Sequence, residues 1–401
     1  MAPLRIGSRD LAGHLPAGAR IWLHACSGES ALIREELEAA DLRGLTFTGI
    51  FVPGLNRLAG LLAAGARVES YFMMPEFSGH EAQVDFLPFC YREIRLHLAA
   101  NPPDAALVMV SPPDEQGLCS LGPVNDFIGD IWPHIPRIIG HINPLVPRTQ
   151  GRSIPLDRFH AVIEGEAALP VSDPGMDEVS ARIAALAGEL VPEGATVQAG
   201  LGRTPEAVLR GLTGHRNLSI HSGLIGDSTL DLLEAGALRA DAPICAGVAI
   251  GSQRLYDAVG RPEFRFAPPS VTHELAQLAG IGRFVTINSA IEVDLAGNGH
   301  AEATRKGLVS GPGGASDFAA GARGLQGLRV LVLPATAAGG KISRIVPSGQ
   351  APGPVSLGRF DTDVVVTEYG FADLRAASPA QRRERLIAIA APEHRAELAD
   401  T

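Results

Sequence analysis

The sequence predicts an α/β protein with mainly parallel sheets, organised as two domains. Short β-rich runs alternate with helical patterns along the 401 residues, as they do where strands and helices follow one another in turn. Several of these runs, among them Ala105–Val110 and Val330–Leu333, are apolar without alternation, the pattern of strands covered by helices on both faces. Between the halves, residues 164–177 read EGEAALPVSDPGMD, a Pro-, Gly- and acid-rich stretch after a strand and before an amphipathic helix. It is read as the linker, giving domains at 1–175 and 176–401.

In the first half the expected strands are 19–24, 45–52, 68–73, 105–111 and 159–163, with helices over 28–38 and 87–98. In the second half they are 196–201, 218–221, 244–250, 284–288, 330–333 and 364–367, with helices over 180–190, 205–212, 228–237, 272–278 and 379–391. The charged run at 382–385, RRER, is expected to be a solvated helix face.

Composition narrows the function. Charged residues make up 19% and hydrophobic residues 46%, an ordinary balance for a chain with a sizeable core. The net charge of −10 disfavours nonspecific nucleic-acid binding, which requires basic surface. It leaves anionic ligands open, because backbone N–H groups at helix starts bind phosphates whatever the net charge. Cys26, Cys90, Cys119 and Cys245 form no CxxC pair. Neither a disulfide framework nor a metal site is expected, and a reducing cytoplasm fits. No apolar run near Met1 reads as a signal peptide, and none is long enough for a membrane helix.

Four segments hold chemistry. Gln198–Glu206, QAGLGRTPE, follows a strand and opens a helix. Gly200 and Gly202 permit a tight turn and close ligand approach, Thr204 is placed as N-cap, and Pro205 suits a first helical turn. It reads as an anion-binding loop or as a plain connection. Ser310–Phe318, SGPGGASDF, places Gly313 and Gly314 before a helix and offers N–H groups to an oxyanion; a flexible surface loop is the alternative. Asn288–Leu295, NSAIEVDL, alternates as a strand edge or hairpin with Glu292 and Asp294 on one side. Those acids suit acid–base work or simply face solvent. Val366–Leu374, VTEYGFADL, sets Glu368 at the end of a buried strand, a placement typical of function in α/β sheets or of a structural cap. Cys119, His24 and His221 read as packed or surface residues, since a reactive thiol or imidazole needs a partner.

Taken in order, these elements resemble the acetyl-CoA hydrolase and 4-hydroxybutyrate CoA-transferase family. Matching segments include Val108–Gly122, Asn143–Gly151, Gln198–Pro205, Ile220–Ala237, Asn288–Asn298, Gly311–Ala322, Gly339–Pro347 and Val366–Leu374. The resemblance implies two tandem CoA-transferase-like α/β domains, acyl-CoA as substrate, a carboxylate or other acceptor, no metal and a homodimer or larger homo-oligomer. It assigns CoA binding to Gly200, Leu201, Gly202, Arg203 and Thr204, with further contacts at Ile291, Ser310, Gly313 and Gly314. Glu368 lies in a TEYG-like segment near the active site.

One departure governs the chemistry. The family's nucleophilic glutamate stands in a His-Thr-Glu segment, where this chain reads Ile220-His221-Ser222-Gly223-Leu224-Ile225-Gly226-Asp227. Gly223 thus takes the glutamate's position. Ala338 similarly replaces a CoA-contacting lysine, with Lys341 close by, and Thr272 an asparagine. Glycine cannot form the glutamyl thioester by which a carboxylate nucleophile splits acyl transfer into two steps. It is expected to leave open volume for water or a second substrate. Three readings follow: an enzyme that hydrolyses acyl-CoA or attacks it directly with a bound acceptor; a transferase with a relocated carboxylate, Glu292, Glu368 or Asp227; or a silent CoA-binding subunit.

Overall fold

The computed structural model describes residues 3–7 and 10–401. The chain gathers into two compact units, residues up to 172 together with 245–272, and residues 173–244 together with 273–401. The segment 245–272, which sequence organisation groups with the second domain, clusters with the first unit.

In the first unit eight strands run in the order Leu4–Arg5, Phe159–Glu164, Arg137–Ile142, Ala105–Val110, Arg20–Leu23, Thr46–Gly49, Arg67–Ser70, Val84–Phe86. Every pairing is parallel. The apolar run Ala105–Val110 is central and all six residues are buried, as expected of a strand covered on both faces. Strand Phe264–Phe266 and, after its first residue, strand Ile244–Ala249 belong to the 245–272 segment. Asn125 N–H donates to the Gly247 carbonyl at 3.0 Å and Ala249 N–H to that of Pro123 at 2.9 Å. Cys119 is buried, with its thiol pushed up to about 11 by that burial, and the four cysteines are free.

In the second unit the order is Ser219–Ile225, Thr196–Ala199, Phe284–Ser289, Leu328–Val332, Val364–Thr367, Gly370–Asp373. All neighbours are parallel except the last pair, an antiparallel hairpin. The chain leaves Thr196–Ala199 to form a strand on one side of it and later returns to form Phe284–Ser289 on the other. This reversal of strand order makes the carboxyl ends of the two strands a topological switch point, the place where ligands bind in such sheets. A small sheet, Gly299–His300 against Glu292–Asp294 against Ile345–Val346, follows that edge.

Three local expectations are corrected. The strand expected over 218–221 runs on as Ser219–Ile225, so Gly223 lies within it. The helix expected over 272–278 is two short pieces, Pro269–Thr272 and Leu275–Leu278, with His273 and Glu274 at the break. The arginines of the RRER run are tied down rather than free in solvent. Arg382 reaches the Ala296 carbonyl at 3.5 Å, Arg383 that of Leu398 at 2.6 Å, and Arg385 that of Asp373 at 2.5 Å. No helix among the described residues is long and apolar enough to cross a membrane.

Candidate functional site

The expected catalytic and CoA-binding residues all lie in the second unit, whereas His24, Cys119 and Thr272 belong to the first. The strand Thr196–Ala199 ends at Gly200, whose N–H donates to the Ile287 carbonyl at 2.8 Å. A side chain there would meet Asn288 Oδ1 at 3.0 Å. Asn288 and Gln198, on neighbouring strands, exchange two buried amide hydrogen bonds, 3.1 and 3.2 Å. Gly202, at φ +120°, is the N-cap of the helix Arg203–Gly211. This corrects the expectation that Thr204 caps it. Thr204 lies buried inside the first turn, and a left-handed backbone angle at 202 favours glycine there. Leu201 stands 49% exposed at the tip of the loop. Arg203 turns back to the linker, donating to Asp177 at 2.6 Å and to the Pro174 carbonyl at 3.0 Å. The Asp177 carboxyl is held at about 2 by hydrogen bonds from Ser180 and then Arg203.

Asp227 opens the helix Asp227–Glu234. Beside it, Glu206 accepts from Ser228 N–H at 2.8 Å. Burial pushes the Glu206 carboxyl up, and the charge of Asp227 adds to that shift. Glu206 packs so closely over Gly226 that a side chain there would lie 2.6 Å from its oxygens. Together with the Arg210–Asp231 ion pair at 3.1 Å, these contacts lock two helices together. Asp227 is thus part of a helix-start network.

The space beside Gly223 is not open, contrary to expectation. A methyl group built on Gly223 would lie 2.7 Å from Cε1 and 2.9 Å from Nε2 of His273, and one on Gly314 would lie 2.5 Å from Nε2 and 2.7 Å from Cδ2. Contacts under 3.0 Å are essentially absent for real Cβ atoms, so the ring would have to move before either position could carry a side chain. Its other neighbour is Phe318, on the helix Ala315–Gly321, with ring centroids 4.4 Å apart at 47°. His273 is 4% exposed. Burial, reinforced by His221, pushes its imidazole down to about 3, so the ring is neutral at physiological pH.

A second cluster gathers Glu292 and Glu368 around Arg344. Glu292 is 4% exposed, which overturns the solvent-facing reading, and its Oε2 is buried without a hydrogen-bond partner. It stands in the small sheet opposite His300, and its strand neighbour Val293 donates to the Arg344 carbonyl at 2.8 Å. Burial pushes the Glu292 carboxyl up against the pull of Arg305, His300 and Arg344. Glu368 accepts from Ala335 N–H at 2.8 Å, and Arg344 N–H donates to the Ala335 carbonyl at the same distance. Burial pushes the Arg344 guanidinium down while Glu292 and Glu368 hold it up.

The structure therefore joins Gly223 to Gly314 through His273, while Glu292 and Glu368 act on Arg344 through their charges, without an ion pair to it. Ile291 donates its N–H to the His300 carbonyl at 2.8 Å, Ser310 N–H reaches Glu302 at 3.2 Å, and Gly313 is left-handed at φ +60°. Sequence reasoning missed His273, Asn288 and Arg344 as parts of these groups. The loss of a side chain at 223 was visible, and its counterpart is a large side chain near residue 272, where the helical pattern hid it. No group of three or more His, Cys, Asp or Glu among the described residues is arranged to hold a metal ion.

The chain is similar to known proteins over most of its length. Residues 251–401 match the model of the acetyl-CoA hydrolase/transferase C-terminal domain. The 4-hydroxybutyrate coenzyme A transferase of Clostridium kluyveri is 33% identical over 323 residues, 78% of this chain and 74% of that one. The succinyl-CoA:acetate/propanoyl-CoA:succinate CoA transferase of Fasciola hepatica is 31% identical, covering 96% of this chain and 85% of its own. The crystal structure of 4-hydroxybutyrate CoA-transferase from Porphyromonas gingivalis superposes with a TM-score of 0.81 at 27% identity, over 99% of this chain and 96% of that one. With a fold of tandem CoA-transferase type and relatives that match most of its length, this chain belongs to the acetyl-CoA hydrolase and CoA-transferase family.

Proposed function

We propose that this protein acts on acyl-CoA thioesters by a route that forms no glutamyl intermediate, either hydrolysis or direct attack of a bound acceptor on the thioester. The observation that carries this reading is the glycine at 223, covered by the neutral His273 ring. No carboxylate is among the heavy atoms nearest that glycine, which are those of His273 and Phe318.

The loop Gly200–Thr204 binds the CoA phosphates, and its exposed Arg203–Asp177 pair is weak enough to open for a diphosphate. Leu201, Ile291 and Ser310 complete the contacts with CoA. Gly313 and Gly314 turn backbone toward the thioester oxygen. Water or the acceptor adds to the carbonyl carbon, and the C=O π pair moves to oxygen. Collapse then breaks the C–S bond and expels CoA thiolate. With water as nucleophile the products are the free acid and CoA, the proton passing to solvent. The protein is read as a cytoplasmic homo-oligomer, which sedimentation and cell fractionation check.

A panel of short acyl-CoA thioesters, assayed for thiol release with and without carboxylate acceptors, tests the proposal. Thiol release with no CoA adduct on the protein by intact mass spectrometry is expected. CoA binding with no turnover of any thioester would leave the silent-subunit reading. The pairing of Glu292 and Glu368 about Arg344 favours one second reading, transfer through a relocated carboxylate. It requires a CoA adduct on one of those two residues.

A further inference from the structure

The first unit holds a cavity that the chemistry above does not use. Its volume is about 450 Å³, and Leu118, Gly129, Asp130, Trp132, Arg152 and Ser153 are among the residues that line it. The frame is local. Gly129 and Asp130 lie on the short helix Ile128–Ile131, which runs directly into the turn Trp132–His134. The strands Leu118–Ser120 and Ser153–Pro155 pair antiparallel, with Ser120 in register with Ser153. A side chain on Gly129 would stand 3.3 Å from Cγ of Arg152, so the stem of that arginine lies close along the helix.

The polar groups at this cavity fall into two kinds. Asp130 is engaged: one oxygen accepts from the Ser270 N–H at 3.0 Å and the other from its hydroxyl at 2.5 Å. The donors are not. The Arg152 guanidinium, the Trp132 indole N–H and the Ser153 hydroxyl make no hydrogen bond or ion pair among the described residues. Nearby arginines differ: Arg148 pairs with Asp114 at 2.6 Å, and Arg137 donates to the His14 carbonyl at 2.8 Å. Arg158, with no ion pair either, stands 5.9 Å over the Trp132 ring. On a chain of net charge −10, three unused donors and a second cation around one indole suit an anion that carries a flat ring. The volume falls within the roughly 300–1,000 Å³ of small-molecule sites, and a bare phosphate would leave most of it unfilled.

We propose that this cavity binds a nucleoside phosphate, with the base stacked on Trp132 and the phosphate held by the Arg152 fork and the Ser153 hydroxyl. A guanidinium presents its N–H groups in one plane, matched to two phosphate oxygens. An indole face takes any flat base. Asp130 has lone pairs left over from Ser270 and accepts a hydrogen bond from a sugar hydroxyl. An aromatic acid of benzoate size would use the indole and the arginine, but it brings no hydroxyl for Asp130. The site is independent of the acyl-CoA reading, whose residues lie in the second unit.

The chain supplies its own probe. It has two tryptophans; Trp22 is 1% exposed in the core, and Trp132 is half-buried at the cavity. AMP titrated into the full chain is expected to quench tryptophan fluorescence along a saturable curve. Trp132→Phe removes that quench. Arg152→Ala raises the Kd for AMP by on the order of 10-fold or more in calorimetry, the weight of a charged hydrogen bond. Its melting temperature stays at the wild-type value, because the guanidinium has no partner to lose. Inorganic phosphate and benzoate, titrated in parallel, bind more weakly than AMP. No quench by AMP overturns the inference, and so does phosphate or benzoate binding as tightly as AMP. AMP seated at the CoA loop instead would be insensitive to both substitutions, and that outcome overturns it as well while leaving the acyl-CoA reading untouched.

Discussion

At Gly223 the second unit buries an imidazole as a neutral ring, whereas at Arg344 it half-buries a guanidinium that the charges of two carboxylates hold up. The first centre avoids the cost of burying charge by giving the charge up, and its geometry is steric: one ring against two glycines. The second keeps its charges and offsets them against each other, leaving Glu292 Oε2 and Arg344 Nε without hydrogen bonds. Removing a group should therefore act differently at the two places. At Arg344 it exposes an imbalance of charge; at His273 it leaves a hole or admits a side chain.

Four experiments break or sharpen that contrast. Gly223→Glu forces a carboxylate into the space held by the His273 ring and should cost on the order of 4 kcal/mol in urea unfolding, from overpacking and an unpaired buried charge. Adding His273→Gly to the same chain should return at least half of that loss; no recovery would mean that the two positions do not share one space. Arg344→Met leaves Glu292 and Glu368 without their common cation. A loss of about 3 kcal/mol at pH 7 is expected, shrinking as the pH falls and the raised Glu292 carboxyl takes up a proton.

Acid should act on His273 with the opposite sign from a paired histidine. Its folded value, about 3, lies below the ordinary 6.5, so between those limits the unfolded chain binds the extra proton. The stability tied to this ring is complete above pH 6.5 and declines as the pH falls. Between pH 7 and 5 the wild type should lose about 2 kcal/mol more than His273→Leu, as followed by unfolding at each pH. The smallest effect belongs to an exposed pair. Arg203→Ala should change stability by less than about 0.5 kcal/mol while weakening CoA binding in calorimetry, since its Asp177 partner lies at the surface.

Much of the scaffold was legible because its strands are written in local pattern. The uninterrupted apolar run of Ala105–Val110 became a central, fully buried strand, and Val364–Thr367 did the same in the second unit. The Gly-rich turn into the helix at 203 was visible too, although the cap fell on Gly202, because backbone angle outweighs side-chain preference there. The alternation of NSAIEVDL gave the hairpin and left open which face was buried. That depends on the strands beside it, which come from residues 299–300 and 345–346. The partner of Gly223 was illegible for a plainer reason. A glycine in a sequence says that a side chain is missing and nothing about what fills the space, and the filler lies fifty positions away at a helix break that local pattern reads as continuous helix.

The meeting of Gly223, Gly314 and His273 also constrains how such a site is altered over generations. A lineage moving between a carboxylate at 223 and an imidazole at 273 must empty one position before it enlarges the other. The half-step holds either a void or a collision, and only the void is survivable. Directed evolution toward glutamyl chemistry from this chain should accordingly pass first through a small residue at 273, and libraries that vary 223 alone should return nothing that folds and transfers.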